Sequence, residues 1–196
     1  MSFEQTIKMP EDRIGVIIGK NGQVKEDIEQ KCNVEIDIDS ESGDVQVSSQ
    51  ASRLDKMEPF KAIEIISAIS KGFSPERAYR LLKEDLLDLL DIRDYAGKSS
   101  NSIQRIKGRI IGKAGNTRKT IEDLTGASIS VYGHNVGLIG SFEEIRIARE
   151  AIKMISKGSS HKNVYNMLQA ARRRAKFEKM QLWEHEGPQQ SNRTDF

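Results

Sequence analysis

A duplication within the sequence restricts the fold more than any other feature. Residues 15–38 align without gaps on residues 108–131, at an offset of 93 positions, and nine of the 24 aligned residues are identical. Ordinary amino-acid frequencies would give roughly one or two identities. A second match lies downstream at an offset of 86, where Ile69-Ser70-Lys71-Gly72 corresponds to Ile155-Ser156-Lys157-Gly158. Two copies at this period predict two domains with one fold, because a solenoid needs at least three short repeats.

Each copy is predicted to have the element order β-α-α-β-β-α. In the first copy, a short strand at Gln5–Met9 and a short helix at Glu11–Ile18 precede a Gly-x-x-Gly break. A second helix begins near Val24. Alternating apolar and acidic residues then predict a half-exposed strand, whose acidic side carries Glu35, Asp37 and Asp39. A further strand and a long helix over residues 51–70 complete the copy.

An additional helix is expected after each copy. In the first copy, Ser74-Pro75 is a helix cap, and the apolar spacing from Tyr79 to Leu90 predicts a helix that reaches residue 90. The elements expected in the second copy include a strand at Asp91–Tyr95, a loop at Lys98–Asn101, a helix at Ser102–Ile111 and a basic closing helix from about Asn163. The domains are therefore predicted at residues 1–90 and 91–186, followed by a polar, disordered tail at 187–196.

The two halves of the chain carry opposite charge. Residues 1–97 contain 13 Lys and Arg against 20 Asp and Glu, a net −7, whereas residues 98–196 contain 18 against 9, a net +9. Aligned positions place part of this difference beside the Gly-x-x-Gly breaks: Val16 corresponds to Arg109, Glu26 to Lys119 and Asp27 to Thr120. The second copy is therefore expected to bind phosphate more strongly, and the acidic first copy to bind it weakly or to contact a protein.

Composition excludes several classes of protein. The mean hydropathy is −0.56, and no apolar run approaches the roughly 20 residues of a membrane span, so no membrane contact is expected. The chain starts without a basic and apolar leader, and Cys32 is its single cysteine, so a cytoplasmic protein without disulfides is expected. The three histidines are scattered, and no nucleophile–base pair or carboxylate pair stands out. We therefore expect no metal, no cofactor, no catalytic residue, no small-molecule substrate and no enzymatic activity.

The Gly-x-x-Gly breaks suit the binding of phosphate. Between two helices, such a break exposes backbone N–H groups at the start of the second helix, where the helix dipole favours an anion. The missing Cβ of glycine also lets a phosphate approach closely. A nucleotide-binding P-loop needs G-x-x-x-x-G-K followed by Ser or Thr. The spacing from Gly15 to Gly19 and from Gly108 to Gly112 is one residue short of that, and the hydroxyl is missing. A phosphodiester is therefore the expected ligand.

These breaks resemble the signature of the KH RNA-binding domain, in which two Ile or Val residues precede Gly-x-x-Gly, a helix and a β-hairpin. Ile17–Gly22 and Ile110–Gly115 both fit it, and the 18 residues before the first glycine loop suffice for one strand and one short helix. The resemblance implies an α+β fold with two type I (eukaryotic-type) KH domains in tandem, each extended by an additional C-terminal helix. It also implies that each loop holds the backbone of about four unpaired nucleotides while the bases lie in an apolar groove.

The residues expected to contact single-stranded RNA fall into three groups. The loop residues are Gly112, Lys113, Ala114 and Gly115 in the second copy, and Gly19, Lys20, Asn21 and Gly22 in the first. The basic side chains beside the loops are Arg109, Arg118, Lys119 and Lys25, to which Arg105 and Lys107 add charge. The apolar groove residues are Ile110, Ile111, Ile129 and Val131 in the second copy, and Ile17, Ile18, Ile36 and Ile38 in the first. Only some isoleucines of each set are expected to touch a base, since the others fill the core.

Longer stretches are similar to the archaeal double-KH proteins that are related to eukaryotic pre-ribosomal processing factors. These stretches are Asp94–Lys98, Arg105–Lys113, Thr125–Gly133 and Val164-Tyr165. The resemblance implies a ribosome-assembly factor that binds single-stranded RNA near the 3′ end of the small-subunit rRNA. The implied partners are the endonuclease that matures this end and the alpha subunit of translation initiation factor two.

Two other functions fit parts of the sequence. One is a KH subunit of an RNA-decay or translation-initiation complex, although an RNA-decay subunit should bring a β-barrel domain for which no room remains. The other is a protein-interaction scaffold with weak RNA binding, which the acidic first copy favours. Such a scaffold should lack measurable affinity for single-stranded RNA.

Overall fold

The computed structural model describes residues 3–49, 59–97 and 99–185, which form two α+β units. The first unit has the predicted order β-α-α-β-β-α. Its elements are β1 (Phe3–Lys8), α1 (Glu11–Ile18), α2 (Gln23–Cys32), β2 (Glu35–Asp39), β3 (Asp44–Ser49) and α3 (Pro59–Ser70). Residues 51–58 of the predicted long helix, the loop residue Lys98 and the predicted tail at 187–196 lie outside the described residues.

The second unit repeats this order and adds two helices. Its elements are β4 (Leu86–Asp91), α5 (Arg93–Ala96), α6 (Ser100–Ile111), α7 (Asn116–Thr125), β5 (Ser128–Tyr132), β6 (Asn135–Gly140), α8 (Phe142–Ser156) and α9 (His161–His185). Helix α5 separates the first strand from the first long helix, and α9 is the predicted closing helix. The prediction of two type I KH folds in tandem is therefore confirmed.

The segment that joins the two units differs from the prediction. The additional helix of the first unit is short, with α4 (Pro75–Ala78) followed by a 3₁₀ turn (Tyr79–Leu82), and Leu86–Asp91 is already the first strand of the second unit. The predicted helix to residue 90 and the predicted strand at Asp91–Tyr95 are therefore wrong. The predicted boundary between residues 90 and 91 falls within β4.

Pairing with β6 explains why residues 86–91 are a strand. The run Leu-Leu-Asp-Leu-Leu-Asp suits a helix or a strand, because a short apolar run does not establish a period. All six residues of β4 pair antiparallel with β6, from Leu86 opposite Gly140 to Asp91 opposite Asn135. Helix α6 then begins at Ser100 and not at Ser102, because the Ser99 side chain accepts a hydrogen bond from the backbone N–H of Ser102 and caps the helix.

Each unit contains a three-stranded antiparallel sheet, ordered β1-β3-β2 in the first and β4-β6-β5 in the second. In the first sheet, Ile36 lies opposite Val47 and Ile38 opposite Val45. These side chains share the face that packs on the helices, because alternate residues of a strand point to opposite sides. The acidic residues of β2 lie on the other face and are exposed, as predicted: Glu35, Asp37 and Asp39.

The helices of each unit cover one face of its sheet and enclose a separate core. Fully buried members of the first core include Ile17, Ile28, Ile65 and Ile66, and those of the second include Ile110, Ile121, Leu138 and Ile155. Complete burial of such a side chain stabilises the fold by about 1.5–3 kcal/mol. Cys32 is also fully buried in the first core, where it acts as a small apolar residue.

The open face of the second sheet packs against the first unit. Ile139 of β6 lies in the first unit's core, and Phe73, which follows α3, lies against Gly137 so closely that a Cβ there would be 2.6 Å from the ring. Two hydrogen bonds add to this contact. The Ser130 hydroxyl donates to the Lys71 carbonyl at 2.9 Å, and the Tyr132 hydroxyl donates to Asp12 at 2.6 Å. The two units are therefore stacked through the second sheet.

Candidate nucleic-acid interface

The two glycine loops have the same backbone shape. In the second unit, Gly112, Ala114 and Gly115 have φ of 73°, 53° and 78°. The aligned residues of the first unit, Gly19, Asn21 and Gly22, have φ of 71°, 54° and 79°. Left-handed backbone costs a residue with a Cβ roughly 1–2 kcal/mol, so Ala114 is held there by the surrounding fold. Such strain is typical of functional sites.

The two glycines of each loop are required for different reasons. A Cβ on Gly112 would collide with Thr117, the second residue of α7, so this glycine allows the loop to close on the helix. A Cβ on Gly115 would meet nothing within 4 Å. The second glycine therefore faces open space, where a ligand can approach the backbone.

The helix that follows each loop starts without a capping side chain. Gly115 is the N-cap of α7 and Gly22 that of α2, and neither first turn has a side-chain cap hydrogen bond. The first turn of α7 has no acidic residue, whereas that of α2 contains Glu26. The positive end of the α7 dipole is therefore free to attract an anion, while Glu26 offsets that of α2.

Basic side chains beside the two loops have different partners. Lys113 and Lys119 are exposed next to the second loop. Arg118 is half-buried, and its Nε atom is buried with no hydrogen-bond partner among the described residues. At the aligned position of the first unit, Lys25 Nζ lies 3.9 Å from the Glu29 carboxylate. Lys20 is exposed at the first loop.

Arg109 has a structural role that the sequence comparison missed. Its guanidinium donates to the carbonyl of Ile155 at 2.7 Å and to that of Ser159, and so joins α6 to the end of α8. Its side chain therefore points to the carboxyl end of a helix and not to the glycine loop. Arg109 therefore does not add the positive charge at the loop that its alignment with Val16 predicts. It is no longer among the phosphate contacts that we expect.

Of each predicted set of groove residues, half lies in the core. Ile110 and Ile129 are 0% and 1% exposed, whereas Ile111 and Val131 are partly exposed. The first unit shows the same division, with Ile17 and Ile36 buried and Ile18 and Ile38 partly exposed. The accessible apolar surface beside each loop therefore comes from the second isoleucine of the motif and from one residue of the edge strand.

The backbone of each edge strand is tied to the preceding helix. The N–H of Ile129 donates to Glu122 Oε1 at 2.7 Å, and the N–H of Ile36 donates to Glu29 Oε1 at 2.8 Å. Glu122 also accepts a hydrogen bond at 2.6 Å from Arg77. Arg77 belongs to α4 of the first unit, and no sequence pattern indicated that it reaches the second.

In the first unit, the carboxylate of Asp27 on α2 is paired with neighbouring side chains. Asp27 lies 3.6 Å from Lys31 Nζ and 3.5 Å from the Tyr79 hydroxyl. Burial, together with Asp27, raises the pKa of Tyr79 to about 12. Tyr79 therefore remains a neutral hydrogen-bond donor to Asp27 at any physiological pH.

The second half of α9 passes the end of α7 and the start of α8, where Arg172 and Glu178 line a cleft with Leu124. Among the side chains of α9 that the structure describes, Leu168 is the last that is fully buried, at 1% exposure, and those at 172–178 are exposed. They include the basic run of the predicted closing helix, which consists of Arg172, Arg173, Arg174 and Lys176, and the aromatic ring of Phe177, which is 60% exposed. This part of α9 is a basic surface separate from the glycine loop.

The described ranges contain no helix that is both long enough and apolar enough to cross a bilayer. Among the same residues, no group of three or more His, Cys, Asp or Glu side chains is arranged to hold a metal ion.

Both units match KH-domain models. Residues 86–173 match a eukaryotic-type KH domain (KH-domain type I), and residues 4–58 match a KH domain. The match to the second unit begins at residue 86, which is also the first residue of β4.

Relatives of this chain include archaeal and eukaryotic proteins. It is 43% identical over 180 residues to a KH domain-containing protein of Methanocaldococcus jannaschii, covering 91% of this chain and 78% of that protein. It is 36% identical over 118 residues to the pre-rRNA-processing protein PNO1 of Chaetomium thermophilum, covering 58% of this chain and 45% of that protein. The chain thus spans less than half of the fungal relative.

A solved structure resembles this fold closely. A chain of the a/eIF2alpha–aDim2p–rRNA complex from Pyrococcus horikoshii is 41% identical, has a TM-score of 0.81, and is matched over 88% of this chain and 95% of its own length. The identity, the coverage and the two KH matches agree with the similarity to archaeal double-KH proteins seen in the sequence. The chain belongs to the Dim2/PNO1 family of proteins with two KH domains.

Proposed function

We propose that this protein binds single-stranded RNA, chiefly through its second unit, and acts in assembly of the small ribosomal subunit at the 3′ end of its rRNA. The observation that carries the proposal is the second glycine loop. It leads into α7, whose first turn has no acidic residue, and Arg118 stands beside it without a partner among the described residues. Protein folds of this type use such loops to hold an RNA backbone.

The proposed contacts divide between phosphate and base. The backbone of Gly112–Gly115 and the side chains of Lys113, Arg118 and Lys119 bind phosphates. Ile111 and Val131 supply the apolar surface for bases, since Ile110 and Ile129 are buried. Aromatic residues make up 6% of the chain and none lies in either loop, so base stacking contributes little.

The first unit is proposed as the weaker RNA site. Its loop residues Gly19–Gly22 have the same backbone shape, but Glu26 lies in the first turn of α2 and Lys25 is paired with Glu29. The exposed carboxylates of β2 also repel phosphate. This acidic surface favours a protein partner with a basic surface.

Partners and setting are proposed from the family. The related structure from Pyrococcus horikoshii is a complex of aDim2p with a/eIF2alpha and rRNA. We infer that the alpha subunit of translation initiation factor two and the endonuclease that matures the rRNA end are protein partners of this chain. The proposed role is that of a cytoplasmic RNA-binding factor without catalytic activity.

A paired set of loop variants tests the proposal. Lys113→Asp with Ala114→Asp places two negative charges in the second loop, and Lys20→Asp with Asn21→Asp does the same in the first. Aspartate tolerates the left-handed backbone at both sites, so the loops should keep their shape. Affinity for a short single-stranded RNA from the rRNA 3′ end, measured by fluorescence anisotropy, should fall more than about tenfold in the second-loop variant and less than about threefold in the first.

Equal losses in the two variants would overturn the asymmetry between the units. A wild-type protein with no measurable affinity would overturn RNA binding itself and favour the protein-interaction scaffold. Circular dichroism spectra of both variants serve as the control for folding.

A further inference from the structure

One glutamate occupies the same place in both units but has different neighbours. Glu29 and Glu122 are aligned, and each accepts a hydrogen bond from the N–H of the edge strand, at 2.8 Å from Ile36 and 2.7 Å from Ile129. Each therefore anchors the start of an edge strand to the end of the second helix.

In the first unit this glutamate also pairs with the basic residue beside the loop. Lys25 Nζ lies 3.9 Å from Glu29, four residues later on the same helix. Residues with this spacing lie next to each other on a helix surface, and opposite charges there attract. The side chain of Lys25 is thereby drawn along α2, away from the loop.

In the second unit the corresponding glutamate, Glu122, forms an ion pair with a residue of the first unit. Arg77 Nη1 donates to Glu122 Oε1 at 2.6 Å and lies 3.5 Å from the carbonyl of Ile129. The Glu122 side chain is only 14% exposed, so this is a partly desolvated ion pair. Arg118 has the helical spacing to pair with Glu122, as Lys25 does with Glu29, but no such pair is present.

Arg118 consequently has an unused hydrogen-bond donor. Its Nε atom is buried, and no described residue accepts its hydrogen. Buried donors are nearly always satisfied by protein, water or ligand atoms, so this one is open to an acceptor from outside the described residues. A phosphate oxygen fits this need, because guanidinium groups bind phosphate with strong, charge-assisted hydrogen bonds.

We propose that Arg77 is a positioning residue for RNA binding by the second unit. By neutralising the charge of Glu122, whose Oε1 atom it contacts, Arg77 leaves Arg118 unpaired and available for a phosphate. The first unit thus raises the RNA affinity of the second without touching the RNA. This inference rests on the proposed function, in which the RNA backbone runs along the second loop and α7.

Arg77→Met is the primary test, since methionine keeps much of the aliphatic contact and removes the charge. In this variant Arg118 should pair with Glu122, and RNA affinity should fall about five- to tenfold. The slope of log affinity against log salt should become less steep by about 0.7, the value for one phosphate contact on a single strand. Arg77→Lys should restore most of the affinity.

Arg80→Met is the matched control. Arg80 also crosses between the units, with hydrogen bonds to the carbonyl of Gly126 at 2.9 Å and to Glu144 at 3.2 Å, but it does not contact Glu122. If the interface as a whole governed RNA affinity, both variants would weaken binding alike. We expect the Arg80 variant to stay within about twofold of wild type.

Adding Glu122→Gln to Arg77→Met separates positioning from direct contact. A glutamine oxygen still accepts the N–H of Ile129, but the neutral side chain does not attract Arg118. The double variant should therefore regain affinity within about twofold of wild type, and Arg118→Met should cause no further loss when added to Arg77→Met alone. Failure of the glutamine to restore affinity, or wild-type affinity in Arg77→Met, would overturn the inference.

A measurement without RNA tests the same coupling. The Nε–Hε signal of Arg118 in ¹H–¹⁵N NMR spectra should shift between wild type and Arg77→Met, and should return when Glu122→Gln is added. An unchanged signal would overturn the inference even if RNA binds. If the wild-type protein did not bind RNA, the proposed function would be overturned. The NMR signal would still decide whether Arg77 keeps Arg118 from pairing with Glu122.

Discussion

In both units one arginine ties the first long helix to the end of the third, but from different helix positions. Arg13 donates to the carbonyls of Ile69 and Phe73, at 2.9 and 2.6 Å. Arg109 donates to those of Ile155 and Ser159, which align with the first pair at an offset of 86. The residue aligned with Arg13 is Ile106, one helical turn before Arg109. A cation is favoured at a helix carboxyl end, and either position supplies it.

This shift of position limits what the sequence predicts at the scale of single residues. The alignment compares Arg109 with Val16 and therefore assigns its charge to the loop. The motif likewise shows that two isoleucines precede each loop, but it does not show which of them faces the core. Contacts with a distant helix decide both questions, and those contacts leave no local pattern in the sequence.

Arg109→Met is expected to affect stability and to leave RNA affinity nearly unchanged. Loss of the two hydrogen bonds should lower the free energy of unfolding by about 1–2 kcal/mol, measured by urea denaturation. RNA affinity should stay within about threefold of wild type, because the side chain points away from the loop. A tenfold loss of affinity with unchanged stability would restore Arg109 to the phosphate contacts. Arg13→Met is the matched variant and should lose similar stability.

At the scale of elements, the order of six elements in each unit could be predicted because most of them show a clear period or a glycine break. The strand at Leu86–Asp91 could not, because its apolar residues fit two periods and its pairing partner lies about 50 residues later in the chain. The sequence predicts a start of α6 at Ser102, but the cap by Ser99 moves it to Ser100. Long-range pairing, and not local preference, decides such segments.

A chain that ends at Gln169 tests the role of the last helix. No side chain described after Leu168 in α9 is fully buried, so the shortened protein should keep its thermal midpoint within about 4 °C of the full chain. We expect about threefold weaker RNA binding and a less steep salt dependence, because the exposed basic run is removed. Unchanged binding would show that this run only keeps the helix solvated.

At the scale of the whole molecule, the two units share a buried interface that charge and composition did not reveal. Its main members have no common motif: Lys71, Phe73, Gly137 and Ile139. Phe73 is 1% exposed and contacts the second sheet from the first unit. The opposite net charges of the two halves describe their surfaces and are independent of this contact.

Phe73→Ala should therefore destabilise the molecule as one body. The loss of a buried aromatic ring costs about 3–5 kcal/mol, and both units should unfold in a single transition at a lower temperature in scanning calorimetry. Two separated transitions, with only the first one shifted, would show that the units unfold independently. Phe142→Ala is the matched control, because Phe142 is 68% exposed and should leave the transition unchanged.

The stacking of the units also limits how many can be joined. The contact is heterologous, because one unit contributes the segment after α3 and the other its open sheet face. Identical copies joined in this way could form an unlimited head-to-tail stack. At the register positions of Leu89, Gly137 and Ile139, the first sheet carries Thr6, Gln46 and Ser48. A row of carboxylates lies beside them on β2. Divergence after duplication has thus closed the stack at two units, since a further copy would have to bury polar and charged groups.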